Sequence, residues 1–489
     1  MFLQFGRHAR RNARLLNAAL TRAHRRAYAV PANLLEDLTH RGFVHHLTRP
    51  EVLQAALESK RQVVYAGIDP TAGSLHIGHL IPLMCLLHFQ LRGHKVIPLI
   101  GGATGRVGDP SGRLTERQPA DIKQVADNVT SLTEGINTFF RRAFVYADAR
   151  MAHNEELSVE PVVTSNLQWL EGINLLEFLQ TVGIHTRVNT MLNRESVRAR
   201  LTSQRGLSFT EFTYQLLQAY DFYHLHSHFG CTIQVGGSDQ WGNILAGIEL
   251  IGRLEDPSAA EHSSDADARA FGLTTPLLTT ASGEKFGKSA GNAVWLDSNM
   301  TSVFDFYQAL DDADVEKHLK MFTLLPHSEI ASIMEAHSEQ PESRTAQRRL
   351  AAEVTEMVHT SKGLARAQTL TNLLFESNYD GLTANQITSA FEGDPRLVMV
   401  DEEELLESSV MKLAARYRLA SSASASRNLV QARGLYINNR TVPEAQYKVT
   451  KAELIDGRVA ILRAGKDKLL ILAASPNPVT APASSSPDS

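Results

Sequence analysis

The chain has 489 residues and a formal net charge of −4, with 43% hydrophobic and 21% charged residues. That composition suits a soluble globular protein of about three domains and excludes a collagen, a coiled-coil rod or a wholly disordered chain. No run of about 18 apolar residues occurs, so no membrane span is expected. Cys85 and Cys231 are too few and too far apart for a disulfide framework, and no Cys/His spacing suggests a zinc site, so no protein-bound metal is expected.

Residues 1–30 hold seven arginines and no acidic residue. The stretch reads as a mitochondrial transit peptide, the alternative being a basic RNA-binding arm. From about residue 60 the pattern alternates. QVVYAGI (62–68) is a short apolar run, LIPLMCLLHFQLRG (80–93) has helical length with Gly93 as a stop, and HKVIPLI (94–100) is a second apolar run. Strand, helix and strand make a βαβ unit. CTIQV (231–235), the loop GGSDQWGN and the helical ILAGIELIGRL repeat the theme. The alternation predicts an α/β, doubly wound parallel-sheet (Rossmann-type) domain over 34–300, with ligands at the carboxyl ends of its strands. Residues 110–225 read as largely helical, and 253–270 as a polar surface insertion. Residues 301–408 are expected to be a helical domain. Residues 410–472 are expected to be a small α+β domain, carrying twelve Lys/Arg against four Asp/Glu up to residue 475. The 473–489 segment has a disordered composition.

In LHIGHL (75–80), His76 and His79 are three apart and share a helical face, with Gly78 leaving room for a flat ligand. At a helix N-terminus they suit phosphate, although a His-x-x-His pair alone fits a zinc site or a core equally well. In GEKFGKS (283–289), Lys285 and Lys288 precede Ser289 between Gly283 and Gly287. That loop suits a polyphosphate, or, taken alone, is a solvated turn.

Together, in this order on an α/β pattern, the two motifs resemble the signatures of class I aminoacyl-tRNA synthetases. YAGIDPTAGSLHIGHL (65–80), GGATGRVGDPSGR (101–113), TEFTYQLLQAYDF (210–222) and QVGGSDQWGNI (234–244) narrow the resemblance to tyrosyl-tRNA synthetases, over residues 34–472. The resemblance implies attachment of tyrosine to tRNA-Tyr in two steps through tyrosyl-adenylate, with Mg2+ and ATP as the nucleotide substrate. It implies a homodimer in the mitochondrial matrix. It gives His76, His79, Lys285 and Lys288 the stabilisation of the adenylation transition state, and it puts Arg117 on the pyrophosphate and Thr71 in the loop after the first strand. Around tyrosine it places Tyr65 and Asp221 at the phenol, Asp109, Tyr214 and Gln218 at the amino group, and Gln240 at the carboxylate. On the ATP side it places Gly67, Asp69, Gly237, Asp239 and Ser289. Arg113 stands where bacterial members often carry Lys, Ala66 where they often carry Cys, and Asn166 matches a pocket residue.

Tyr214, Gln218 and Asp221 fall at i, i+4 and i+7, one helix face. Flanked by Phe212, Leu216, Leu217 and Phe222, that stripe reads as a pocket wall as readily as a solvent face. The 301–408 region would lie on the anticodon side. SASRNLVQARGLYINNRTV (424–442) and GRVAILRAGKDKLLIL (457–472) resemble a small ribosomal-type RNA-binding fold, with Arg427, Arg433, Arg440 and Lys451 as phosphate contacts and Arg433-Gly434 closing a helix. Two other readings use the same motifs: a small-molecule nucleotidylyltransferase, and a catalytically idle RNA-binding protein. Some fungal mitochondrial members also act in intron splicing, and no motif here decides that second role.

Overall fold

The structure is a computed structural model that describes residues 28–29, 33–111, 120–152, 159–202, 206–255, 269–279, 293–309, 314–376, 379, 381–465 and 468–475. The chain forms two units, Met1–Thr360 and Ser361–Ser489. They divide where the helix Thr345–Thr371 breaks at Thr360, whose φ is +68°. Residues 301–360 of the expected helical domain thus belong with the first unit, and the rest of it with the second.

The first unit is built on six strands: β1 (His46–Leu47), β2 (Val63–Ile68), β3 (Lys95–Ile100), β4 (Thr164–Ser165), β5 (Cys231–Gly237) and β6 (Phe271–Thr275), in the order β1-β6-β5-β2-β3-β4. All neighbours are parallel except β1 and β6. The chain moves outward from β2 through β3 to β4, then returns to the other side of β2 as β5. The order therefore reverses between β2 and β5, and a crevice opens there at the strand ends.

Between β2 and β3 runs the helix Leu80–Gln90 (α1), buried from end to end. A helix apolar on every side has to lie in a core, and α1 packs in the main cluster with Phe139, Phe140, Leu319 and Phe322. The other sheet face carries the helices Phe209–Phe229 (α2) and Trp241–Glu255 (α3). They approach closely because position 247 is glycine: a Cβ there would stand 2.9 Å from Phe222 Cδ1. Gly230 ends α2 in the left-handed conformation at φ +66°, which glycine adopts without steric cost.

Asp37, in the helix Leu34–His40, joins distant pieces of the same unit. It pairs with Arg41 (2.9 Å), Arg92 (2.7 Å) and His327 (3.1 Å). The Arg41 guanidinium also donates to the carbonyls of Lys320, Thr323 and Leu325. The two cysteines are buried and unpaired with each other. Tyr28–Ala29, inside the expected leader, pairs in parallel with Met151–Ala152.

The second unit holds β7 (Leu397–Val400), β8 (Leu435–Ile437), β9 (Arg440–Thr441), β10 (Val459–Ala464) and β11 (Lys468–Ala474), in the order β9-β8-β10-β11-β7. β7 lies inside the stretch expected to be helical. Its four residues pair in parallel with β11, Leu397 opposite Ile471, so the α+β fold begins upstream of residue 410. The helix Ala423–Gln431 (α4) ends in a Schellman turn, with Gly434 N–H donating to the Leu429 carbonyl at 2.7 Å. Arg433-Gly434 closes the helix as expected, and the left-handed residue of the pair is Arg433 (φ +54°), not the glycine.

Candidate active site

The loops after β2 and β5 bring most of the expected residues into one crevice. Past β2, Asp69 accepts from Tyr214 Oη (2.9 Å) and Thr104 Oγ1 (2.8 Å). This turns Asp69, expected on the ATP side, toward the expected amino-group residue Tyr214. Gly101 makes the approach possible, because a Cβ there would lie 2.0 Å from Asp69 Oδ1. The Thr71 N–H donates to the Asp69 carbonyl (2.8 Å), and a Cβ on Gly67 would meet open space.

His76 caps, and His79 ends, a 3-10 turn, Ile77–His79, that leads into α1. Their rings stack at 3.9 Å. The Gly78 N–H donates to His76 Nδ1 (3.2 Å), and the His76 N–H donates to His79 Nδ1 (3.1 Å). With both Nδ1 atoms accepting, each neutral ring carries its proton on Nε2 and presents a donor there.

Lys285, Lys288, Ser289, Arg113 and Arg117 lie outside the described residues. The chain re-enters the structure beside the histidines: the Ile77 N–H donates to the Val294 carbonyl, and the Leu296 N–H to that of Leu75, both at 2.9 Å. The other flank of the lysine loop follows β6. Both ends of the segment are therefore held by the first unit.

Tyr214, Gln218 and Asp221 all project from α2, and Tyr214 and Asp221 are buried. Tyr214 is held above the ordinary phenol range by burial, then by Asp69 and Asp109. Asp221 is a carboxylate in a nearly dry site, accepting from Asn166 Nδ2 (2.8 Å) and Trp169 Nε1 (2.7 Å). Burial raises it to about 7, against those two donors and with help from Asp69. Close by, the Tyr65 ring packs at a tilt of 56° against Phe222, with centroids 5.3 Å apart. Burial, Asp221 and Cys231 hold its phenol above the usual range. The Tyr65 hydroxyl and Gln234 Oε1 are buried with no hydrogen-bond partner among the described residues. Tyr65 and Gln234 face each other across β2 and β5, so two unsatisfied polar groups address one side of the sheet.

At the other end, Gln240 Nε2 donates to Asp109 Oδ2 (2.7 Å), and Asp109 Oδ1 accepts from the Ser111 N–H (2.9 Å). Asn243 Nδ2 links Gln218 Oε1 (3.1 Å) and Gln240 Oε1 (3.2 Å). Gly237 ends β5, and Asp239 follows in the turn before α3, where a Cβ on Gly237 would meet Asp239 Oδ1 at 2.7 Å. Thr104, Trp169, Gln234 and Asn243 were not singled out by sequence. Thr104 and Asn243 lie inside or beside recognised motifs, whereas Trp169 carried no spacing signal.

Residues 57–376, most of the first unit and the start of the second, match the family model for tRNA synthetases class I (W and Y). Residues 386–472 match the SYY-like C-terminal domain of tyrosine–tRNA ligases. The mitochondrial tyrosine–tRNA ligase of Saccharomyces cerevisiae is 42% identical over 449 residues, 90% of this chain and 88% of that protein. The chain belongs to the tyrosine–tRNA ligase family. The Drosophila melanogaster mitochondrial enzyme is 39% identical, over 90% of this chain and 94% of that protein. A C-terminally truncated Aspergillus nidulans mitochondrial tyrosyl-tRNA synthetase superposes with a TM-score of 0.64 at 36% identity, over 71% of this chain and 95% of that one. The activity is thus ATP-dependent ligation of tyrosine to tRNA, and the location is the mitochondrion. Among the described residues no helix is long and apolar enough to cross a membrane.

In the second unit, Arg427, Arg433 and Arg440 are exposed. Lys451 is paired with Glu402 at 2.5 Å, an exposed pair of little energetic weight.

Proposed function

We propose that the crevice binds tyrosine with its phenol against Asp221 and Tyr65 and its ammonium among Asp109, Tyr214 and Gln218, while Mg2+–ATP lies over Gly67 and the two histidines. The observation that carries this reading is the dry carboxylate of Asp221 beside the unsatisfied Tyr65 hydroxyl. A phenol supplies one donor and one acceptor to that pair, and phenylalanine supplies neither, leaving both groups unpaired. The tyrosine carboxylate attacks the α-phosphorus of ATP, the bond to the bridging oxygen breaks, and pyrophosphate leaves. Nε2–H of His76 and His79, with the ammonium groups of Lys285 and Lys288 and the guanidinium of Arg117, meets the charge that grows on the phosphates. Gln240 orients the tyrosine carboxylate, Asp239 and Gly237 receive the ribose, and Thr71 and Ser289 line the phosphate side. The 3′-terminal ribose hydroxyl of tRNA-Tyr then attacks the carbonyl carbon and AMP departs.

The second unit would hold the tRNA through Arg427, Arg433 and Arg440, with Lys451 exchanging Glu402 for a phosphate. The chain would work in the mitochondrial matrix after loss of residues 1–30. A homodimer is supported by exposed apolar side chains within one stretch, among them Leu175, Leu176, Ile184, Val188 and Phe209. Leu176→Asp should then yield monomers in sedimentation.

ATP–pyrophosphate exchange with a panel of amino acids tests the pocket. Dependence on tyrosine alone is expected, and comparable exchange with phenylalanine or tryptophan would overturn the assignment.

A further inference from the structure

The indole of Trp169 donates to Asp221 Oδ1, yet Trp169 sits on a helix of only four residues, Leu167–Leu170. Something else has to fix its plane. The indole lies flat on His224, with centroids 4.4 Å apart and an interplanar angle of 15°. His224 lies in turn on His228 at 4.1 Å and 18°. His228 Nδ1 is 3.0 Å from the His224 carbonyl, which holds the outer ring in register. Asp221, His224 and His228 occupy positions i, i+3 and i+7 of α2, one face of one helix. The same helix therefore carries the carboxylate and the stack that aims a donor at it. Burial and then His228 lower His224 to about 4, so the ring stacked on the indole is neutral at physiological pH.

We propose that His224 is a positioning residue for tyrosine selection, holding the Trp169 N–H on Asp221 by stacking on the indole. The inference rests on the reading that Asp221 meets the phenol. Without the imidazole the indole can turn on its short helix, and the carboxylate loses one of its two donors and its fixed direction. Stacked aromatic pairs contribute about 0.5–1.5 kcal/mol, which corresponds to a roughly 2- to 12-fold change in an equilibrium.

The test is steady-state pyrophosphate exchange by the full chain, with tyrosine and ATP varied separately. His224→Ala should raise the KM for tyrosine about 2- to 12-fold and leave kcat and the KM for ATP within about twofold. His224→Phe, which keeps a flat ring on the indole, should restore the tyrosine KM. In an Asp221→Ala background, His224→Ala should add less than about twofold, because the route to the substrate is already gone. An unchanged tyrosine KM in His224→Ala overturns the proposal. So does a loss shared by kcat and both KM values that Phe does not rescue, which would mark a structural role. Full additivity with Asp221→Ala also overturns it. Asp221→Ala by itself reports on the pocket: if that variant binds tyrosine normally, the phenol assignment fails, whatever His224 does.

Discussion

Asp221→Asn removes the charge of a buried carboxylate and keeps its shape. Burial raises Asp221 from 3.8 to about 7, against the hydrogen bonds from Asn166 and Trp169. A folded-state value above the unfolded one means that the native protein retains the proton. The contribution is therefore fully present below pH 3.8 and is lost as the pH rises through 7. At about 1.4 kcal/mol per unit the whole span amounts to roughly 4 kcal/mol, of which about 2.5 kcal/mol accrues between pH 5 and pH 8. Asparagine carries one acceptor where the carboxylate has two, so Asn166 or Trp169 loses its partner, at about 1–3 kcal/mol at every pH. That offset is flat, and the electrostatic part is not. Thermal unfolding of the substrate-free protein should therefore show the variant gaining on the wild type from pH 5 to pH 8. At about 2–4 °C per kcal/mol the gain is roughly 5–10 °C. Parallel curves for the two proteins over that range would refute the buried, proton-retaining carboxylate.

Asp37→Asn should destabilise the first unit by about 3–5 kcal/mol at pH 7, because Arg41 and Arg92 lose their buried counter-charge. Burial pulls Asp37 up, but Arg41, His88 and Arg92 outweigh it and hold it at about 2. Its contribution is therefore present above pH 3.8 and fades as the pH falls through 2, so the melting curves of variant and wild type should converge in acid. Gly101→Ala puts a Cβ 2.0 Å from Asp69 Oδ1 and 2.3 Å from Thr104 Oγ1. Displacing Asp69 from Tyr214 should cut tyrosine-dependent pyrophosphate exchange about 10- to 100-fold, and a change under twofold would sink the Asp69–Tyr214 role. Lys285→Ala and Lys288→Ala should each slow adenylate formation by about 2–4 kcal/mol, roughly 30- to 1000-fold, with a smaller change in the Kd for ATP. Pre-steady-state rates that stay normal at saturating ATP would make the lysines ground-state binders instead.

The parts of the fold legible in sequence are those whose signal is local. β2, α1, β3 and β5 are apolar runs with stops at both ends, and the structure gives Val63–Ile68, Leu80–Gln90, Lys95–Ile100 and Cys231–Gly237. Tyr214, Gln218 and Asp221 came from the family resemblance, since helical spacing puts them on one face but fits a solvent face as readily as a pocket wall. β4 and β7 were not, because two and four residues are too few to show a period, and each is a strand only through the neighbour it pairs with. Trp169 and His224 were invisible for the same reason. The indole matters through a hydrogen bond to a residue 52 positions away, and the imidazole through the face it lends that indole. Arg433 shows the opposite case, a local rule overridden: glycine follows it, yet the arginine takes the left-handed turn.

The crevice gathers three aspartates, and their electrostatics set what it can accept. Asp69 raises both Tyr214 and Asp221, and Asp109 raises Tyr214 further. These acidic groups oppose one another at buried positions. An ammonium among Asp109, Tyr214 and Gln218, as proposed, would reverse that sign, and a phenol at the far end needs only a dipole's partner. The two ends of the crevice are accordingly different in kind. Near Tyr214, acid stands against acid and calls for a positive charge. Near Tyr65, a single half-neutralised carboxylate beside an unsatisfied hydroxyl calls for a neutral donor-acceptor. Tyrosine carries those two groups at its opposite ends, so in the proposed binding mode the same charge pattern would set its direction in the site as well as its identity.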